Sequence, residues 1–412
     1  MSESLSEQSR PTSTPSSPAK EQSATKAVVT AVVGYAMDGF DMLIVSVVLA
    51  AVTAHFALSP GEAGAIATFT LVGAVVGGIV FGILSDRYGR VRVLTWTILL
   101  FSLFTGLSAL AQSYEQLVFL RFVAGIGLGG EFGIGMTLAA EACRPSQRAR
   151  TTSLVALGWQ FGVLLAALAG IFLQPLIGWR GMLALGVLPA LIAWAFRRKV
   201  GEPQMFVEAD KRSAPIRMLW RDAATTKSSI AMIILTSVQN FGYYGVMVWL
   251  PTYLSTQLGF SLTKSGLWTV ATVLGMAAGI VIFGQFADRV GRRPAMATFQ
   301  VGAALSVLVY SQLTDSTALL VGGVVMGLFV NGMLGGYGAL MAELYPTQAR
   351  ATAENVLFNI GRGVGGFGPW LIGLIIAQYS FSLAIGLLSL IYLAALATTL
   401  TLVPERKGME LE

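Results

Sequence analysis

Twelve stretches of this chain are each long and apolar enough to cross a lipid bilayer, and no other feature limits the fold as much. They run over roughly 27–56, 62–84, 93–111, 117–143, 151–173, 180–197, 228–257, 264–285, 295–313, 316–343, 351–378 and 381–403. A hydrocarbon core about 30 Å thick takes about 20 helical residues to cross, and inside it the backbone must satisfy its own polar groups. Helices meet that demand one by one, so the expected fold class is an all-α membrane protein with twelve transmembrane helices. A soluble alternative fails on charge. Only 12% of the residues are charged, about half of the ~25% typical of soluble chains. Glycine, at 47 of 412 residues, suits helices that approach closely in lipid. Cys143 is the single cysteine, which excludes a disulfide scaffold and reads as a packing residue.

The charges that remain are unevenly placed. One set of loops carries Arg87, Arg90 and Arg92, then Arg144, Arg148 and Arg150, the run from Arg197 to Lys227, Arg289, Arg292 and Arg293, and Arg350. The alternate loops hold little beyond Arg180 and Lys264. By the positive-inside rule the basic loops and both termini are expected in the cytoplasm of a bacterium, with the chain in its inner membrane. The net charge of +6 then needs no nucleic-acid partner. Residues 1–26 are rich in Ser, Thr and Pro without an apolar core, and are expected to be a disordered cytoplasmic tail rather than a signal peptide. Bundles of six helices are expected over 27–198 and 228–403, joined by a cytoplasmic linker over 199–227 and closed by a tail over 404–412. Within the linker, Ile216, Met218, Leu219 and Trp220 suggest a short amphipathic helix on the membrane surface.

The two bundles read as copies of one another. Gly82-x-x-x-Asp86-Arg87-x-Gly89-Arg90 recurs 202 residues later as Gly284-x-x-x-Asp288-Arg289-x-Gly291-Arg292, and the same offset relates Gly125 to Gly327, Gly133 to Gly335 and Glu141 to Glu343. Parallel repeats about an axis along the membrane normal are a transporter architecture. The duplicated Asp-Arg-x-Gly-Arg loop resembles the signature of the major facilitator superfamily, over the whole chain outside the tails. The resemblance implies two pseudo-symmetric bundles working by alternating access, and a gate built from the two loop motifs. Asp86 would engage the start of the eleventh span near Arg350 and Ala351, and Asp288 the start of the fifth near Arg150 and Thr151, each carboxylate meeting a positive helix N-terminus. Glu141 and Glu343 end the fourth and tenth spans and are expected to pair with the loop arginines.

Ionisable groups at membrane depth are costly and mark function. Asp38 and Asp41 share one face of the first span at i, i+3. Two carboxylates so placed do not easily ionise together, so both are candidates for carrying a coupling proton, with Glu131 in the fourth span as a third. Arg362, in the middle of the eleventh span, offers a bidentate fork to a carboxylate, or a structural ion pair to Asp38, Asp41 or Glu131. Asp38-Gly39-Phe40-Asp41 and Asn359-Ile360-Gly361-Arg362-Gly363 resemble the aromatic acid:proton symporters, whereas Gly125 to Gly133 looks more like the sialate and monocarboxylate symporters. The 202 offset maps Asp38 to Asn240, Asp41 to Tyr243 and Gln160 to Arg362, so a shared central cavity is expected, with Gln239, Tyr244, Asn331, Tyr337 and Asn359 as further lining. Arg121 is expected to organise packing, and His55 to sit at the outer interface. The expected function is therefore proton-coupled uptake of a small organic anion by a monomer in the bilayer, with no cofactor beyond the proton, no metal and no enzymatic activity. A drug:proton antiporter is the main rival, although no proline follows Gly158-x-x-x-Gly162. A neutral sugar or polyol carrier would leave Arg362 without a ligand.

Overall fold

A computed structural model describes residues 18–191, 201–208, 215–254 and 259–411. Among them every regular element is a helix. The first half comprises α1 (Pro18–Phe56), α2 (Pro60–Tyr88), α3 (Arg90–Ser108), α4 (Tyr114–Gly129), α5 (Glu131–Ala142), α6 (Arg148–Phe172) and α7 (Gln174–Ala184). Two short helices, α8 (Gln204–Glu208) and α9 (Pro215–Met218), lie in the linker. The second half comprises α10 (Ala223–Thr252), α11 (Leu262–Val290), α12 (Arg292–Tyr310), α13 (Ser316–Gly332), α14 (Leu334–Leu344), α15 (Arg350–Gly365), α16 (Gly368–Gln378) and α17 (Phe381–Leu402).

Local chemistry sets several of the boundaries. Ser59 and Glu62 form a reciprocal capping box with Pro60 in the first turn of α2. Asp222, Asp315 and Ser380 cap α10, α13 and α17 through their side chains. Gly89 and Gly291 break α2 from α3 and α11 from α12 at φ 116° and 112°, backbone conformations that a side chain would strain.

Nine helical stretches among the described residues are long and apolar enough to cross a membrane. The other three predicted spans differ for local reasons. Arg292–Tyr310 is a 19-residue helix with a polar first turn. The eleventh span is broken after Gly365, because Pro369 has no N–H to continue the helical ladder. The sixth runs into residues 192–200, which lie outside those described. The fourth and tenth spans are also interrupted, at Gly130 and Met333.

Of the expected disordered tail, residues 1–17 lie outside those described. Its remainder is helical from Pro18, because proline suits a first helical turn and Ala19, Lys20, Glu21 and Gln22 are good helix formers. The linker segment around Ile216 forms a short helix, Pro215–Met218, that leaves Ile216 and Trp220 exposed and is anchored on the protein by its next residue. Leu219 is fully buried in the protein core, and its carbonyl accepts a bond from Ser229 Oγ at 2.7 Å.

Within the first half α1 packs along α6 and α2 along α4; within the second, α11 packs along α13 and α10 along α15. The halves meet through α2 against α15 and α6 against α11, with α5 and α14 crossing between them. Glycine permits this approach. A Cβ on Gly133 would lie 2.5 Å from the backbone nitrogen of Asn355, and one on Gly335 would lie 2.3 Å from Cα of Ser153. These two contacts are related by the 202-residue repeat, so both copies use the same close approach.

Candidate functional site

Between the halves, Tyr35, Trp159, Tyr243, Tyr244 and Phe358 close tightly around Arg362, leaving a cavity of only about 20 Å³, with Gln239, Asn240, Asn331 and Leu334 completing the wall. The guanidinium lies 5.3 Å from the Trp159 ring centroid and 5.7 Å from that of Phe358, within cation–π range. Its one ion-pair partner among the described residues is Asp38, at 3.6 Å. That distance is too long for a good hydrogen bond. Both Asp38 oxygens and both Nε and Nη1 of Arg362 are buried without a hydrogen-bond partner. A buried cation left this incompletely satisfied has donors to spare for an anion.

A second carboxylate–arginine pair sits nearby and is built differently. Arg121 on α4 reaches Asp41 on α1 through Nη2 at 2.9 Å and Nη1 at 3.4 Å, and donates to Thr105 Oγ1 at 2.8 Å. This pair lies wholly within the first half. On the far side of the cavity from the arginine-rich loops, a vestibule of about 2190 Å³, its open mouth included, leads to Trp159, Tyr243 and Tyr244. Its walls are mainly aliphatic, with Leu43, Leu71, Leu164, Val248, Val270 and Leu274 among them.

At the opposite, basic end the halves are locked by two related networks. Asp86 accepts the N–H groups of Ala351 and Thr352 at 3.3 and 2.8 Å. Asp288 accepts those of Ala149 and Arg150 at 3.1 and 2.9 Å. Arg90 pairs with Asp86 at 3.2 Å and Glu141 at 3.0 Å, and Arg350 joins Glu141 at 2.7 Å. In the other copy Arg292 pairs with Asp288 at 2.9 Å and Glu343 at 2.8 Å, and Arg148 joins Glu343 at 2.7 Å. Even the carbonyl partners correspond: Arg90 donates to Thr347 and Arg292 to Pro145, positions 202 residues apart.

The sequence model of the Major Facilitator Superfamily matches residues 31–274 and 232–411. The chain belongs to this superfamily. It is a membrane transporter and not an enzyme. A Haemophilus influenzae protein named for metabolite transport is 58% identical over 94% of this chain and 98% of its own length. The cis,cis-muconate transport protein of Acinetobacter baylyi is 32% identical over 84% of this chain and 86% of its own. A solved proton:xylose symporter superposes with a TM-score of 0.83 at 18% identity, covering 95% of this chain and 98% of that one. The last likeness speaks for the fold alone.

Against the superfamily architecture, the expected site residues divide into groups. Arg362, Asn240, Tyr243, Tyr244, Gln239 and Asn331 converge on the cavity. Gln160 lies in the vestibule wall, buried, with both amide atoms unpartnered. Two expectations place a residue in the cavity where the structure puts it in packing instead, and Glu131, the third proton candidate, is not among the cavity's lining residues. Tyr337 is buried in the second half and donates to the Leu235 carbonyl at 3.1 Å. Asn359 donates to the Gly129 carbonyl at the end of α4 at 2.9 Å, and its side chain fills the gap left by Gly78 on α2. Glu131 faces α1 and α3, accepting from Thr97 at 2.6 Å beside Gly34, and makes no ion pair with Arg362. Of the gating set, Gly82 and Gly284 sit against Thr352 and Ser153 at the seam between the halves. The side chains of Arg87, Arg289 and Arg150 are exposed, and Arg150 contributes only its backbone. Cys143 is half-buried, and burial pushes its thiol pKa up, as for an inert packing cysteine. His55 sits 3.3 Å from Arg180 and against Trp179.

Sequence reasoning missed two carboxylates at the basic end. Glu202 accepts the N–H groups of Val91 and Arg92 at 3.1 and 2.9 Å. Glu405 accepts those of Arg292 and Arg293, also at 3.1 and 2.9 Å. The available signal was a Glu beside a Pro, at Glu202-Pro203 and Pro404-Glu405, just after the last span of each half.

Proposed function

We propose that the protein imports a small, flat organic carboxylate together with a proton across a bacterial inner membrane, working as a monomer with its basic end in the cytoplasm. The observation that carries this reading is Arg362, a buried guanidinium in an aromatic enclosure whose one close anion is held loosely at 3.6 Å. A substrate carboxylate can displace that anion once Asp38 is protonated, and the loaded cavity is then charge-balanced. The aromatic walls suit a planar body, and the aliphatic vestibule favours an apolar one. Unpartnered Gln239 Oε1 and Asn331 Nδ2 add a place for a second polar group on the substrate. Relatives named for muconate and 4-methylmuconolactone, each 32% identical, support this class of acid; a relative named for sialic acid is 27% identical.

Alternating access follows from the architecture. With the basic-end networks closed, the vestibule gives the substrate its route in. Breaking them lets α2 and α5 part from α15, and α6 from α11, to release substrate and proton. Thermal-shift screening of purified protein at pH 5.5 and 8 tests the reading. Carboxylic acids, and not their matched amides, are expected to stabilise it, more strongly at the lower pH, with no stabilisation of Arg362→Ala. Equal stabilisation by acid and amide would refute an anion site at Arg362.

A further inference from the structure

The barrier between the cavity and the basic end has three tiers, each joining the first half to α15. Phe132 and Phe358 stack with ring centroids 3.5 Å apart and planes 14° off parallel. One turn further on, Gly133 N–H donates to Asn355 Oδ1 at 3.1 Å, and Thr137 Oγ1 donates to Glu354 Oε2 at 3.0 Å. The Asp86 bonds to Ala351 and Thr352 form the last tier.

Glu354 is the unusual member. It is fully buried, its Oε1 has no hydrogen-bond partner, and no described cation lies within ion-pairing distance. The charged groups that face it are Arg350 on its own helix, Glu141 on α5 and Arg90 at the start of α3. Arg350 is bonded to Glu141, the Ala342 carbonyl and Thr347 Oγ1. Arg90 is shared between Asp86 and Glu141. Two arginines are thus already balanced by two carboxylates. An ionised Glu354 would add an uncompensated negative charge to a buried seam, which burial opposes. A neutral carboxyl keeps the Thr137 bond and adds no charge.

We infer that Glu354 holds a proton while α5 and α15 are in contact and releases it to the cytoplasm when they part, which makes this gate responsive to cytoplasmic pH. The closed seam binds the extra proton, so closure is favoured at low pH and weakens as pH rises. If the protein imports acids with protons, as proposed above, this response restrains uptake when the cytoplasm acidifies. The gate itself does not depend on that reading.

Spin labels at Ser146 and Gln348, one in each half at the basic end, in a Cys143→Ser background, report the opening by electron-electron distance measurement in nanodiscs without substrate. Between pH 5 and 9 the parent is expected to shift toward longer distances, with a ratio of open to closed that changes by at most about tenfold per pH unit for one proton. Glu354→Gln is expected to stay at the short distance throughout. Glu354→Asp keeps a carboxyl and should keep a pH response. A parent whose distances ignore pH, a Glu354→Gln protein that tracks the parent, or loss of the response in both variants would each overturn the inference. The readout uses no substrate, so it can fail while the anion site stands, and the reverse.

Discussion

Asp38 and Asp41 lie one helical turn apart on α1, and each faces an arginine, yet the two pairs are built for different work. Arg121 makes three hydrogen bonds, to both Asp41 oxygens and to Thr105, inside one half of the molecule. Arg362 lies 3.6 Å from Asp38 across the boundary between halves, with two of its nitrogens unpartnered. A tight pair within one rigid bundle travels with that bundle. A loose pair between bundles is stretched or broken when they rock, and it can trade one partner for another. Position relative to the boundary between the halves, more than residue type, separates the loosely held arginine from the tightly held one.

The largest expected effect breaks the tight pair. Asp41→Ala leaves Arg121 buried without its counter-charge, a situation that costs about 3–5 kcal/mol. The melting temperature in detergent should fall sharply, and by more than for Asp38→Asn, since the Asp38–Arg362 pair is already loose at 3.6 Å and the Trp159 and Phe358 rings beside Arg362 remain. Asp41→Asn combined with Arg121→Met should recover much of the loss, because the unpaired charge carries the cost. Equal destabilisation by the Asp38 and Asp41 variants would erase the distinction between the pairs.

The next effect concerns proton linkage. Asp38→Asn imitates the protonated acid and removes the anion that competes for Arg362. Acid binding at pH 8 should then match that of the parent at pH 5.5, and its pH dependence should vanish. The parent should show a coupling of about 1–3 kcal/mol, or 5- to 150-fold in affinity, over that interval. Binding that stays pH-dependent in Asp38→Asn would move the coupling proton to Asp41.

How far the sequence spoke for these features depends on the range of the interaction that decides each. The spans were legible because apolar length is a local property, and the repeat because the 202 offset survives in Gly, Asp, Arg and Glu. The latch positions of Asp86 and Asp288 followed from that repeat and the family motif. The breaks in the fourth, tenth and eleventh spans were not legible in apolar runs, although Pro369 marked one of them. Depth along a span could be counted, but rotation about its axis could not. Tyr337 and Asn359 were therefore expected in the cavity, and their bonds to the Leu235 and Gly129 carbonyls turned them away. Which aspartate meets which arginine was open for the same reason. Glu354 was overlooked because its isolation is tertiary: Arg350 is only four residues away, but Glu141 holds it.

The smallest expected effect sharpens the comparison from the side of the tight pair. Thr105 is buried, and its hydroxyl accepts from Arg121 Nη1 at 2.8 Å. Thr105→Val keeps the branched shape and deletes that one acceptor. The Asp41 bonds remain, so the charge stays compensated, and a single buried hydrogen bond to a charged donor is lost. Such bonds contribute about 1.5–3 kcal/mol, with the lower end expected here because Nη1 still reaches Asp41 Oδ1 at 3.4 Å. The protein should melt a few degrees earlier, by roughly 2–4 °C per kcal/mol for a chain of 150–250 residues and less for a longer one. Acid binding at Arg362 should be unchanged at pH 5.5, since Thr105 faces the other pair. A weakened acid affinity with no change in melting would mean that the two pairs communicate through α1.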